Sequence, residues 1–353
     1  MVRILATETD FPDHYYRQEE IFSSLSEVWS PKGVNLHRVE QFHKNVKVDG
    51  RHLALPIESY YNLEKFGDRN DAWVRVALDL GEKVLTNLLD KAGLLPMDIA
   101  CLAFTTVTGI AVPSIEARLM NRIPFSRQLK RIPLFGLGCL GGAAGVARVA
   151  DYLQGHPEEA AILLSIELCS LTIQRSDLSV ANIISSGLFG DGASAVLMVG
   201  ERHPLAQKAS PGVLDTQSCF FPDSEDVMGW KVNESGFKIL LSANIADIAE
   251  RQLRPLLCGL LEKYGLGLRD IDYWITHPGG PKVLEAITRG LDLEEDALSI
   301  SWESLAKVGN ISSTSVLIVL DETLKRFDPD PGSYGVMMAM GPAFAAEFVL
   351  LQW

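Results

Sequence analysis

Strand-like apolar runs and helix-like stretches alternate along the whole chain, and no low-complexity segment or flexible linker breaks the alternation. That grammar calls for an α/β architecture. In the first half, Ile99–Thr106, Ile132–Leu137, Ala160–Ile166 and Ala193–Val199 read as strands. Asp71–Ala92 reads as a long helix, with Trp73, Val76, Ala77, Leu80 and Val84 at helical spacing. Gly141–Leu153 reads as a second helix, so rich in small residues that it must be buried. The second half repeats the theme, with strands at Val213–Phe220, Tyr273–Thr276, Ser333–Met340 and Glu347–Leu351 and helices at Ile239–Tyr264, Lys282–Leu291 and Ser313–Phe327. The repetition predicts a structural duplication into residues 1–203 and 211–353. The seam is His203–Pro211, a mostly polar stretch closed by a proline. A chain of 353 residues is long enough for two such lobes to share one large core.

The formal net charge of −13, with no long Lys/Arg run to offset it, argues against broad nucleic-acid binding. The N-terminus lacks a basic segment followed by an apolar one, and the apolar stretch Val336–Leu351 is interrupted by Gly341-Pro342 and Glu347. A cytoplasmic protein without a transmembrane segment is expected. Five scattered cysteines, none in a Cys-x-x-Cys pair, fit neither a zinc site nor a disulfide framework, so no metal is expected.

Four of those cysteines sit in largely apolar surroundings, as small buried hydrophobes do. Cys139 differs. In Phe135-Gly-Leu-Gly-Cys-Leu-Gly-Gly-Ala-Ala-Gly145 it follows an apolar strand and opens a small-residue helix, with glycines that permit a sharp turn. A thiol at a helix N-terminus feels the positive end of the dipole, which favours the thiolate. Such a nucleophile wants an imidazole partner. His14, His37 and His43 lie in polar surroundings and read as solvated, whereas His277, in Trp274-Ile-Thr-His-Pro-Gly-Gly280, follows a strand and can project into a cleft. Asn310, in Lys307-Val-Gly-Asn-Ile-Ser-Ser313, precedes an apolar helix. It reads either as a helix cap or as an amide donor to a developing oxyanion.

Taken together, Gly-Cys139 before a Gly/Ala-rich helix, Gly187-Leu-Phe-Gly-Asp-Gly-Ala193, His277-Pro-Gly-Gly, Gly309-Asn-Ile-Ser-Ser and Met340-Gly-Pro resemble the thiolase-like condensing enzymes, and within them the type III polyketide synthases of the chalcone and stilbene synthase family. The resemblance covers nearly the whole chain. Pro113–Asn121, Arg131-Ile-Pro and Val227-Met-Gly-Trp230 look most like bacterial members that make alkylpyrones or alkylresorcinols from fatty acyl-CoA. The resemblance implies a five-layered αβαβα thiolase-like core, a homodimer, acyl-CoA and malonyl-CoA as substrates, and no further cofactor. It implies that Cys139 carries the growing chain as a thioester, that His277 and Asn310 bind the malonyl thioester carbonyl, and that His277 pairs with the Cys139 thiolate. Phe189 matches one aromatic gatekeeper. Ile239 stands where plant enzymes have a second, with Phe237 as the alternative. Thr108, Val112, Cys169, Thr172 and Ser312 fall at cavity positions, Val112 at the one that reaches into the partner's cavity. Arg38, Lys44, Lys47 and Arg51 form a local basic cluster where the family holds CoA.

Two other readings compete. A chain-initiating β-ketoacyl-acyl-carrier-protein synthase would share the fold and the Cys, His and Asn, but His277-Pro-Gly-Gly and the Gly-Leu-Phe-Gly-Asp-Gly block favour the polyketide synthase. A non-catalytic partner subunit typically lacks the nucleophile, and Cys139 is present.

Overall fold

The computed structural model describes residues 1–242 and 244–353. The first stretch runs β1 (Val2–Asp10), β2 (His14–Arg17), α1 (Gln18–Trp29), α2 (Leu36–Asn45), β3 (Gly50–Leu53), α3 (Phe66–Ala92), β4 (Ile99–Thr106), α4 (Ile115–Leu119), β5 (Lys130–Phe135), α5 (Gly141–Gly155), β6 (Ala160–Leu168), α6 (Val180–Leu188) and β7 (Asp191–Val199). It continues with β8 (Gly212–Phe220), β9 (Met228–Asn233), β10 (Gly236–Leu241), α7 (Ile245–Glu262), β11 (Tyr273–Thr276), α8 (Pro281–Leu291), α9 (Ser299–Val308), α10 (Ser312–Arg326), β12 (Tyr334–Gly341) and β13 (Ala345–Gln352).

Two sheets of matching order carry the duplication. In one, β1 lies antiparallel to β7 and β7 to β6, while β6 runs parallel to β4 and β4 to β5. In the other, β8 lies antiparallel to β13 and β13 to β12, while β12 runs parallel to β11. The sheets join at one edge through only two residue pairs, Val2 with Val213 and Arg3 with Gly212. Strands β6 and β7 are buried at every position, as strands covered by helices on both faces must be.

Three cores separate five layers. Outside the first sheet, α3 packs Trp73, Leu80, Val84 and Leu88 against outer-face residues such as Ile162 and Leu164. Between the sheets, α5 and α10 share a core with Leu163, Val196, Met337 and Val349. Outside the second sheet, α7 and α8 supply Leu253, Leu257, Leu284 and Ile287. The small residues of α5 are dictated by this middle position. A Cβ at Gly142 would overlap the Ser313 backbone of α10, so the two helices cross at backbone contact.

The expected helix over residues 239–264 needs correction. Its first residues finish β10, paired with β9, and the helix begins only at Ile245. Gly236 in the left-handed region (φ 96°) lets the chain reverse after Asn233, and cross-strand pairing then overrides helical spacing. In the other direction, α3 begins five residues before the expected start, at Phe66 instead of Asp71 (71 − 66 = 5).

Candidate active site

The N-terminal ends of the two central helices meet at one cavity of ≈ 440 Å³, walled by Cys139, His277, Asn310, Ser312, Phe189, Cys169 and Ile239 among others. Cys139 sits in a single 3₁₀ turn, Gly138–Leu140, that runs straight into α5. Gly138 has φ 53°, and a Cβ there would come within 2.5 Å of the Pro342 ring, so the turn closes under the β12–β13 connection only because residue 138 is glycine. The thiol is nearly buried, at 7% exposure. Burial pushes it up to about 12, against hydrogen bonds from the Ser312 and Asn310 side chains that pull the other way. Burial thus opposes the pull of the helix end toward thiolate.

His277 follows β11 directly, and its backbone N–H donates to the Met338 carbonyl at 2.9 Å. Its ring is 5% exposed, and neither ring nitrogen has a partner among the described residues. Burial lowers the imidazole to about 3, so it is held neutral. A neutral imidazole in a cavity wall can donate one N–H and accept at its other nitrogen.

Asn310 is fixed from three directions. Its Nδ2 donates to the Gly279 carbonyl at 3.2 Å, its Oδ1 accepts from the Ser312 N–H at 2.8 Å, and its backbone pairs with the 188–190 turn through Asn310 N to Leu188 O (2.9 Å) and Gly190 N to Asn310 O (3.0 Å). That rung places Phe189 beside Asn310 in the cavity wall. Ser312 holds φ 46°, a left-handed conformation that a non-glycine residue adopts only where its surroundings enforce it.

The other expected positions divide. Cys169, Phe189, Ile239 and Ser312 line the cavity. Phe237 does not; it is 2% exposed and packs edge-on to Phe66 and against Trp230, so Ile239 is the cavity residue. Thr172 borders a separate hollow of only ≈ 10 Å³, together with Cys169, Phe189, Trp230 and Ile239. Thr108 is corrected: it lies behind the wall, donating to Glu167 at 2.8 Å and accepting from the Trp73 indole at 3.2 Å and the Leu168 N–H at 3.0 Å. Val112 is away from its own cavity and 90% exposed, on the loop after β4. Arg51 is also corrected. It is fully buried, bonded to Gln18 and to the Ser186 and Gly187 carbonyls, because a cation at an inward-facing position of β3 has nowhere else to go. Arg38, Lys44 and Lys47 do reach the surface. Arg38 lies over Phe42, and Lys44 pairs with Glu40 at 2.6 Å. Phe42, Asn45 and Val46 form that side of the cavity. His43, expected to be solvated, is buried.

Sequence reasoning missed three contributors. Helix α6 presents Val180, Ala181, Ile184 and Leu188 to the cavity; their helical spacing after the Ser179 cap was the available signal. Lys282, at the start of α8, stands exposed in the cavity wall. Glu167 is fully buried at the end of β6 and accepts from Val107 N–H, Thr106, Thr108 and Ser313, which ties β4 to the start of α10. Burial raises its carboxyl above the usual range. A lone carboxylate in an otherwise apolar strand was its mark in the sequence.

The chain matches the family profile "Chalcone and stilbene synthases, N-terminal domain" over residues 3–202 and the corresponding C-terminal domain profile over residues 213–353. The chain belongs to the chalcone and stilbene synthase family. It is 46% identical over 350 residues to a 1,3,6,8-tetrahydroxynaphthalene synthase of Streptomyces peucetius subsp. caesius, covering 99% of this chain and 93% of the relative. The crystal structure of the Streptomyces coelicolor 1,3,6,8-tetrahydroxynaphthalene synthase superposes with a TM-score of 0.93 at 30% identity, over 99% of both chains. An α-pyrone synthesis polyketide synthase-like protein of Mycobacterium tuberculosis is 26% identical over 363 residues, covering 98% of this chain and 89% of the relative. The protein is thus a type III polyketide synthase, a malonyl-CoA-dependent acyltransferase with the thiolase-like fold, working on CoA thioesters without a further cofactor. Among the described residues no helix is long and apolar enough to cross a membrane.

Proposed function

We propose that this type III polyketide synthase builds a 1,3,6,8-tetrahydroxynaphthalene-type aromatic from malonyl-CoA as both starter and extender. The observation that carries the reading is the 46% identity, over nearly the whole chain, to a relative named for that product; the hollow beside Thr172, only ≈ 10 Å³, adds little space for an alkyl tail in that direction. A naphthalene skeleton holds ten carbons, which five two-carbon units supply without an alkyl group.

Cys139 Sγ attacks the starter thioester, the C–S bond to CoA breaks, and the proton leaves with the CoA thiol. Malonyl-CoA then loses CO₂, and the electron pair of the broken C–C bond becomes an enolate. His277 and Asn310 donate hydrogen bonds to its oxygen. The enolate carbon attacks the acyl carbonyl on Cys139, and the thiolate departs. A lone charge is costly in this dry site, but passing the Sγ proton to His277 creates two opposite charges together, which is how the thiolate forms. The half at residues 1–203 thus contributes the nucleophile and the half at 211–353 the carbonyl-binding pair. Lys282 joins Arg38, Lys44 and Lys47 around the CoA phosphates. Two copies pair through the Ile110–Val112 loop, 43% and 90% exposed at its two ends, as a homodimer; a monomer by light scattering at micromolar concentration would contradict this.

A second reading, a medium- or long-chain acyl starter released as an alkylpyrone or alkylresorcinol, is favoured by the small Cys169 and Thr172 side chains and by the α-pyrone relative. Mass spectrometry of products from malonyl-CoA alone, and with starters from acetyl- to stearoyl-CoA, separates the two. An aromatic product from malonyl-CoA alone is expected. Turnover only with added acyl-CoA, with kcat/KM highest at about eight carbons or beyond, would establish the second reading instead.

A further inference from the structure

A second concavity of ≈ 60 Å³ lies among α1, β3 and the turns at residues 57–63 and 170–175, and shares no wall residue with the active-site cavity. Its lining includes Arg51, Arg69, Arg175, Tyr60, Tyr61 and Ser24. Three arginines in one small pocket need anions, and among the described residues none of the three forms an ion pair. Arg51 and Arg69 spend their hydrogen bonds on neutral acceptors: Gln18 and the Ser186 and Gly187 carbonyls for one, the Leu63, Glu64 and Ser235 carbonyls for the other. Arg51 is 0% and Arg69 8% exposed, yet each keeps an Nε–H without an acceptor. Arg175 lies over the Tyr61 ring, 5.4 Å from its centroid, and its charge bears on Arg69. Asp191 and Asp68 act on Arg51 and Arg69 without a direct ion pair, and Glu27 accepts from the Tyr61 hydroxyl at 3.1 Å, while Arg175 lacks such a partner among the described residues. Buried guanidinium donors without acceptors, in a hollow otherwise walled largely by aliphatic side chains such as Leu25, Leu53 and Leu63, are groups that a small anion can satisfy.

We propose that this pocket binds a small oxyanion, a phosphate or a single carboxylate, between Arg69 and Arg175. Arg51 connects the site to the active centre: the guanidinium that walls the pocket also holds the end of α6, and a Cβ at Gly190 or Gly309 would lie 3.2 or 3.6 Å from its side chain, so it packs beneath the turns that carry Phe189 and Asn310.

Thermal unfolding of the full-length protein in phosphate, in acetate and in chloride at equal ionic strength gives the first reading, with CoA present at saturation to occupy the active site. Phosphate or acetate should raise Tm over chloride, and whichever does so more strongly identifies the class. Selenate soaked into crystals should give an anomalous peak within hydrogen-bond reach of Arg69 and Arg175. Arg175→Met should weaken phosphate binding roughly tenfold or more, the effect of losing one charge-assisted contact, and Arg175→Lys should restore part of it. No specific Tm rise, an empty pocket in selenate, or equal affinity in wild type and Arg175→Met would each overturn the assignment. Arg175 has no side-chain hydrogen bond among those described, so folding of the variant, checked by its Tm in chloride, is expected to be intact.

Discussion

The two halves of this synthase begin their central helices at the same place in space and use that place differently. In the first half, the chain turns through Gly136 and Gly138, both at positive φ, and delivers a buried thiol at the start of α5. In the second, Gly309 and the strained Ser312 deliver an amide at the start of α10, and β11 adds a neutral imidazole beside it. On the proposed roles, one frame used twice yields a nucleophile from one copy and hydrogen-bond donors from the other, and bond formation to the growing chain should be physically separable from stabilisation of the extender.

Cys139→Ala is the most severe test of that separation. No acyl-enzyme should appear by intact mass and no chain should extend, while release of CO₂ from malonyl-CoA persists through His277 and Asn310. Loss of both activities together would show that the halves do not divide the chemistry as proposed. Asn310→Ala should do the converse, keeping acyl transfer to Cys139 and losing roughly 3–4 kcal/mol of transition-state stabilisation in decarboxylation, as for other single oxyanion donors. Extension at the wild-type rate would remove Asn310 from its role. A smaller effect is expected of Ile239→Phe, which narrows the cavity between the halves without touching either helix end. The product profile by liquid chromatography should move toward fewer extensions, and an unchanged profile would place the size limit elsewhere.

The smallest expected effect is in stability. Each half holds a buried imidazole: burial lowers His43 to about 4 and His277 to about 3. Both lie below the unfolded value near 6.5, so the unfolded chain binds protons first and stability present above pH 6.5 is lost as pH falls through those lower values. Asp191 acts with opposite sign, being raised to about 7 by burial, so its protonation favours the folded state on the way down to its unfolded value near 3.8. Glu167 and Glu347, raised by burial, act with Asp191, while His52 and His203, lowered by burial, act with His43 and His277, and the four imidazoles should outweigh the three carboxyls. Tm should fall between pH 6.5 and 4, and His43→Asn or His277→Gln should each flatten that slope. Equal slopes in all three proteins would refute the linkage.

The strands and the long helices were legible because their burial is periodic or complete; β4 and β11 coincide with their apolar runs residue for residue. The β9–β10 ribbon was not, because its side chains alternate weakly and its pairing is fixed by a glycine turn. Cys139, His277 and Asn310 stood out because glycines flank each of them. Arg51 misled for a physical reason: a basic cluster in sequence does not reveal which member faces inward once β3 pairs with β2. Thr108 required three dimensions, since its partners lie on α3 and β6.

The backbone rung between Phe189 and Asn310 has a consequence for how such an enzyme can diversify. A substitution at 189 that shifts its backbone also shifts Asn310, so if that amide has the proposed role in decarboxylation, selection for a new product there is tied to selection on turnover. Ile239, on a ribbon joined to neither helix end by backbone pairing, is free of that tie. Lineages, or libraries, that explore product size should therefore find their first viable steps at 239, and reach 189 only after changes elsewhere have secured the 309–310 turn.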